Sequence, residues 1–128
     1  MVQQNSEEIR LRLPAMHEYG SIARVAAASL AIRLEFSFRE VEDLRLAVDE
    51  AMIALLGREP AGGHLTARYR LLAGALGFEA VVDFEDGRRA PSEESAERFA
   101  LLVDGLVDEY EVEAGSNRIS LMKTHRTD

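Results

Sequence analysis

Glu42, Asp43, Asp49 and Glu50 crowd one short stretch of the 128-residue chain. Such an acid cluster is ordinarily a solvated helix face. Glu50 departs from that pattern. Leu46 and Ala54 stand four residues to either side of it and Ile53 three residues on, so on a helix Glu50 borders an apolar strip. A carboxylate there could serve as a general base or an orienting group if a pocket lay beside it. A second candidate is Asp83, followed by Phe84-Glu85-Asp86-Gly87. A carboxylate at a strand end beside a glycine turn can read a ligand's exocyclic amine. It can equally be a surface turn residue, which is the commoner case. His17, His64 and His125 are scattered, none with a partner at metal-ligand spacing, so solvated or capping roles are expected in place of a zinc site. The chain carries neither a P-loop nor a Gly-x-Ser-x-Gly pattern.

The elements that must position these residues can be read from periodicity. Ile9, Leu11 and Leu13 alternate with Arg10 and Arg12, a half-buried strand ended by Pro14. From about Met16 to Leu34 the period becomes helical, through Ile22, Val25, Ala26, Ser29 and Leu30, with Gly20 a weak point near the start. A second helix has a full start signal. Ser37 and Glu40 make a capping box, and Phe36 and Val41 are placed for a hydrophobic staple. Its stripe is Val41, Leu44, Val48, Ala51, Met52 and Leu55, and Gly57 is its stop. Leu65, Ala67, Tyr69 and Leu71, then Leu76, Phe78, Ala80, Val82 and Phe84, form two strands of a hairpin turning near Ala73-Gly74. After a charged loop from Glu85 to Pro91, Ser92 caps a third helix with an apolar face of Phe99, Leu102, Val103 and Leu106. A last hairpin pairs Tyr110 and Val112 with Ile119 and Leu121. The order β-α-α-β-β-α-β-β predicts an α+β two-layer sandwich, a mostly antiparallel sheet covered on one face by three helices. Residues 8–124 are expected to form one domain, with 1–7 and 125–128 as tails.

Composition narrows the function classes. Hydrophobic residues at 47% with 30% charged residues are the balance of a globular domain, not of a disordered one. A net charge of −8 argues against nucleic acid and against anionic membrane surfaces as partners. The chain has no cysteine, which rules out disulfides and thiolate metal sites. No apolar run approaches the ~20 residues that span a bilayer, and no secretory signal is visible, so a cytoplasmic location is expected.

Leu11-Arg12-Leu13-Pro14-Ala15-Met16-His17-Glu18-Tyr19, Ile22-Ala23-Arg24-Val25-Ala26, Glu35-Phe36-Ser37-Phe38 and the run Val41 to Ala51 together resemble the anti-sigma-factor serine kinases of the RsbW and SpoIIAB type. These belong to the histidine-kinase-like (Bergerat) ATPase superfamily. The likeness is strong over residues 8–56 and weaker but collinear to about 123, where Val103 to Val112, with Leu106-Val107-Asp108-Glu109 at its centre, resembles the family's last helix and the strand after it.

The resemblance implies a nucleotide pocket, and its residues can be carried over singly. The family's helical Glu falls on Glu50, but the Asn that holds Mg²⁺ four residues later falls on Ala54. Of the family's Asp-x-Gly-x-Gly, the adenine-reading Asp falls on Asp83 and the second Gly on Gly87, while the first Gly is Glu85. The Gly-x-Gly-Leu phosphate loop falls on Glu97-Arg98-Phe99-Ala100, without glycine. Residues 79–113 hold 12 acids against 3 arginines, a local charge of −9 that repels a triphosphate. The expectation is therefore a kept fold, lost kinase activity and no cofactor, with ATP and Mg²⁺ entering only if the nucleotide site is retained.

The leading reading is a regulator of transcription in a stress response. It would capture a sigma factor, an anti-anti-sigma (STAS-type) protein, or both, through the first helix and neighbouring loops, and on that helix Arg24 matches a partner-facing arginine of the family. A solvated arginine is the alternative role for Arg24. The resemblance also implies homodimerisation through the N-terminal strand and first helix. The runner-up is an active ATP-dependent serine kinase with Glu50 as its base, and a third possibility is an inert scaffold of the same fold.

Overall fold

The computed structural model describes residues 7–126. Its elements are β1 (Glu7–Pro14), a single 3-10 turn (His17–Tyr19), α1 (Gly20–Arg33), α2 (Phe38–Leu56), β2 (Gly63–Leu72), β3 (Ala75–Phe84), α3 (Glu93–Val103), β4 (Glu109–Val112) and β5 (Arg118–Thr124). The five strands make one sheet in the order β1-β2-β3-β5-β4, every neighbouring pair antiparallel. Three helices cover one face, as the element order predicts.

Strand alternation decides the two faces. Leu65, Ala67, Tyr69 and Leu71 of β2 and Leu76, Phe78, Ala80, Val82 and Phe84 of β3 are buried toward the helices. Arg68 and Arg70 of β2 and Glu79, Val81 and Asp83 of β3 point to the open face. Tyr69 is fully buried, and its hydroxyl donates to the Ala23 carbonyl of α1 at 2.8 Å. Burial away from water pushes its phenol above its ordinary range.

α2 is the central helix, and its whole anticipated stripe is buried. Its start is the anticipated capping box. The Glu40 N–H donates to Ser37 Oγ at 3.1 Å, and the Ser37 N–H donates to Glu40 Oε1 at 2.8 Å. Its end is the anticipated Gly57, whose N–H donates to the Ile53 carbonyl.

Two elements depart from the expectation. The first helix does not run unbroken from Met16. A 3-10 turn comes first, and α1 begins at Gly20, neither start having a side-chain cap. Gly20 lies so close to α2 that an added Cβ would stand 3.1 Å from Met52 Cβ. The third helix ends at Val103, short of Leu106. Its buried anchors are Phe99 and Val103, while Leu102 is 42% exposed. The C-terminal stretch also differs from a tail. His125 stacks on Phe36 with ring centroids 5.6 Å apart, and its Nδ1 lies 2.7 Å from Glu40 Oε1. The Arg126 N–H donates to Glu40 Oε2. Glu7 belongs to β1, and positions 1–6 and 127–128 lie outside the described residues.

Candidate functional site

Glu50 sits on the second half of α2 and faces α3. Its Oε1 accepts from Arg98 Nη1 at 2.6 Å. The carboxylate is 17% exposed and the guanidinium side chain 57%, so Glu50 lies in the seam and Arg98 covers it from solvent. One turn further on, Ala54 is buried, presenting a methyl group where a ligating side chain would be needed. Glu97 to Ala100 lie inside α3, in helical backbone with its N–H groups committed to the helix.

Asp83 is the penultimate residue of β3, opposite His64 of β2, and exposed. Its neighbours Val82 and Phe84 are buried under the helices, so its side chain leaves the sheet on the open face. Asp83 and Glu50 therefore stand on opposite sides of the sheet. Gly87 is in the turn after β3, with φ at +79° and its N–H donating to the Phe84 carbonyl at 3.1 Å. A Cβ there would meet nothing within 4 Å, so the glycine serves the turn's left-handed backbone. Asp86 in that turn binds Arg88, which holds its carboxyl below the usual range, and the Arg88 guanidinium lies 5.1 Å from the centre of the Phe84 ring.

Arg24 points from α1 toward α2, with Nη1 at 3.5 Å from Asp49 Oδ1, each side chain about a third exposed. The two residues line a hollow of about 280 Å³ that is also bordered by His17, Glu18, Ser21 and Ile53. The sequence offers no signal for this pair, since Asp49 lies 25 residues from Arg24 on a different helix. The i to i+4 offset that links Glu50 to Ala54 gives no hint of a pair across two helices.

The open face holds a larger hollow of about 750 Å³, bordered by Arg68, Arg70, Glu79, Tyr110, Glu111 and Arg118. A ladder of ion pairs crosses it, from Glu8 through Arg68, Glu79 and Arg118 to Glu111. Burial alone would raise the Glu79 carboxyl, but hydrogen bonds from Arg118 and Arg68 outweigh it and hold it low. Neither hollow includes Glu50 or Asp83. His64 lies beside Arg12 and His125 beside Glu40, and no group of three metal-ligating side chains occurs among the described residues.

The antiparallel sheet with its single helical layer defines the class as an α+β two-layer sandwich of the order expected for the histidine-kinase-like superfamily. Within that class the sequence resembles serine-protein kinases named RsbW. It is 37% identical over 70 residues to the protein of Listeria innocua, a match covering 51% of this chain and 43% of the relative. It is 44% identical over 66 residues to that of Listeria monocytogenes serotype 4a, covering 49% and 42%. It is 36% identical over 68 residues to that of Bacillus subtilis, covering 51% and 42%. The matched stretch is thus under half the length of these relatives, and no family model matches the chain. The resemblance to RsbW-type kinases is borne out over about half the chain.

Proposed function

We propose that this chain is a regulatory binding protein of the anti-sigma type that has lost phosphotransfer. It captures a sigma factor, an anti-anti-sigma (STAS-type) protein, or both, through α1, as a cytoplasmic regulator of stress transcription. The observation that carries the loss of phosphotransfer is the Glu50–Arg98 contact. A guanidinium of the chain itself sits on the carboxylate that the kinase reading needs as its base. Three further features support it. Ala54 has no atom that can hold Mg²⁺, Glu97 to Ala100 are helical where a phosphate loop needs bare backbone, and Asp83 faces away from Glu50. The residues present do not fit a nucleotide with Mg²⁺.

The assignment of α1 as the capture surface rests on its exposed side. α1 buries Ala23, Ala27, Leu30 and Ala31, yet Ile22, Val25 and Ile32 are 44%, 60% and 64% exposed. Apolar groups on both sides of a surface helix mark a face that is covered in an assembly. Arg24 stands beside Val25 with only a long ion pair to Asp49, so its fork is available to a partner carboxylate. A homodimer through β1 and α1 draws on the same surface.

The second reading, an active ATP-dependent serine kinase with Glu50 as base, is favoured by one observation, that the similar proteins are named serine-protein kinases. Calorimetric titration with ATP, with and without Mg²⁺, separates the two. The binding-protein reading expects no heat of binding. Micromolar affinity strengthened by Mg²⁺ would overturn it and make Glu50→Ala the test of the base.

A further inference from the structure

The seam between α2 and α3 carries a second apolar surface. The helices run antiparallel across it. Arg98, midway along α3, meets Glu50 in the second half of α2. Lys123 joins Asp43, in the first half of α2, to the carbonyl of Leu106 just beyond α3. One turn from Glu50 toward that end of the seam stands Leu46. One turn from Arg98 toward the same end stand Leu101 and Leu102. The three leucines are 46%, 80% and 42% exposed, although α3 is already anchored in the core by Phe99 and Val103. Single exposed leucines are ordinary on a surface, but three at one end of one seam are not.

The charge around them identifies what covers them. Each α2 carboxylate has its own partner: Glu40 has the His125 ring, and Glu42, Asp43, Asp49 and Glu50 have the cations Arg45, Lys123, Arg24 and Arg98. On α3 the balance is different. Glu94, Glu97 and the cap residue Asp104 are exposed and, among the described residues, in no ion pair. Glu97 lies one turn before Leu101, and Asp104 follows Leu102 by two residues. On α2 the exposed Arg39, two turns before Leu46, is also in no ion pair among the described residues, so the three acids outnumber it, the rim is net negative, and the complement of the leucines is apolar and basic. An anionic membrane would be repelled, and a second copy of this patch would oppose like charges. Two antiparallel helices present a groove into which the ridge of a third helix fits, with anchors spaced i, i+3, i+4 and i+7.

We propose that the α2–α3 seam, centred on Leu46, Leu101 and Leu102, is a docking site for a basic amphipathic helix of a partner protein. It lies apart from the α1 surface and does not depend on the reading of that surface.

The test uses the full chain and two synthetic helical peptides. One carries leucine at i, i+3, i+4 and i+7 with lysines flanking the stripe, and the other has glutamate for every lysine. Binding is followed by fluorescence anisotropy, and its location by amide shifts. The leucine–lysine peptide is expected to bind with shifts on α3 and around Leu46, and the leucine–glutamate peptide to fail. Leu101→Asp with Leu102→Asp should weaken binding at least ~10-fold, and Ile22→Asp with Val25→Asp on α1 should leave it unchanged. Glu94→Lys with Glu97→Lys keeps the leucines and should reverse the preference between the peptides. No binding of the leucine–lysine peptide, binding mapped to α1, or binding indifferent to the leucine substitutions would overturn the proposal. So would self-association of the wild type that is abolished by the leucine substitutions, since the occupant would then be a second copy.

Discussion

Arg98 donates to Glu50 at 2.6 Å, and this contact ties α3 to the central helix. The bond is charge-assisted, but the guanidinium is more than half exposed, so water screens it. Arg98→Ala is expected to cost no more than ~1 kcal/mol in global stability. Its larger effect should be local, with faster amide exchange in α3 than in the buried strands. Hydrogen exchange on the wild type and the variant checks this, and unchanged α3 protection would show that Phe99 and Val103 alone hold the helix.

Ser37 and Glu40 satisfy each other's backbone donors at the start of α2. Ser37→Ala leaves an orphan N–H in the first turn and is predicted to lower stability by ~1 kcal/mol. Glu40→Ala should cost more, because Glu40 also holds His125 and the Arg126 N–H. Urea denaturation of the two variants against the wild type gives the ordering. An equal loss would mean that the C-terminal contacts contribute nothing.

The Glu40 carboxyl predicts an acid limb of stability. Burial raises its pKa, but bonds from the Arg126 N–H, the His125 ring and Ser37 outweigh this and lower it from 4.5 to about 2. A carboxyl with a depressed folded-state pKa stabilises the fold above its unfolded-state value, and this contribution is lost as pH falls toward the folded-state value. Stability should therefore fall between pH 4.5 and about 2. The fall should be shallower in Glu40→Gln, which cannot ionise. Melting temperatures recorded across that range provide the comparison, and identical slopes would remove Glu40 from the account.

Arg24 and Asp49 set the conditions for testing the α1 surface. Arg24→Glu would face Asp49, so part of any effect would come from repulsion inside the protein. Arg24→Gln removes the charge without that conflict and should change stability by less than ~0.5 kcal/mol. It is nonetheless predicted to weaken capture of a sigma or anti-anti-sigma partner by at least tenfold, roughly the ~1.4 kcal/mol of one lost charged contact. Affinity measured with the purified partner decides it, and wild-type affinity in Arg24→Gln would leave Arg24 a solvated arginine.

Tyr69 anchors α1 to the sheet through one buried hydroxyl. Tyr69→Phe keeps the ring and leaves the Ala23 carbonyl without that donor. The predicted loss is ~1 to 2 kcal/mol, read from chemical denaturation. A neutral result would show that water reaches the carbonyl in the variant.

Local chemistry is where the sequence was decisive. Ser37 with Glu40, the stripe from Val41 to Leu55, and the alternation in β2 and β3 each depend on contacts within a few residues, so their spacing alone determined the helix start, its buried face and the strand faces. The element order and the layer count followed, because three amphipathic helices and an antiparallel sheet have few ways to hide their apolar sides. The pairs that define the candidate sites were decided only by tertiary structure. Arg24 with Asp49, Arg98 with Glu50, and His125 with Glu40 lie 25, 48 and 85 residues apart, and no local periodicity encodes which helix face meets which. Asp83 shows the same limit from the other side. Its alternation with Val82 and Phe84 and the single helical layer were legible in the sequence, but that Glu50 is held in the seam with α3, across the sheet from Asp83, was decided only by how the helices pack.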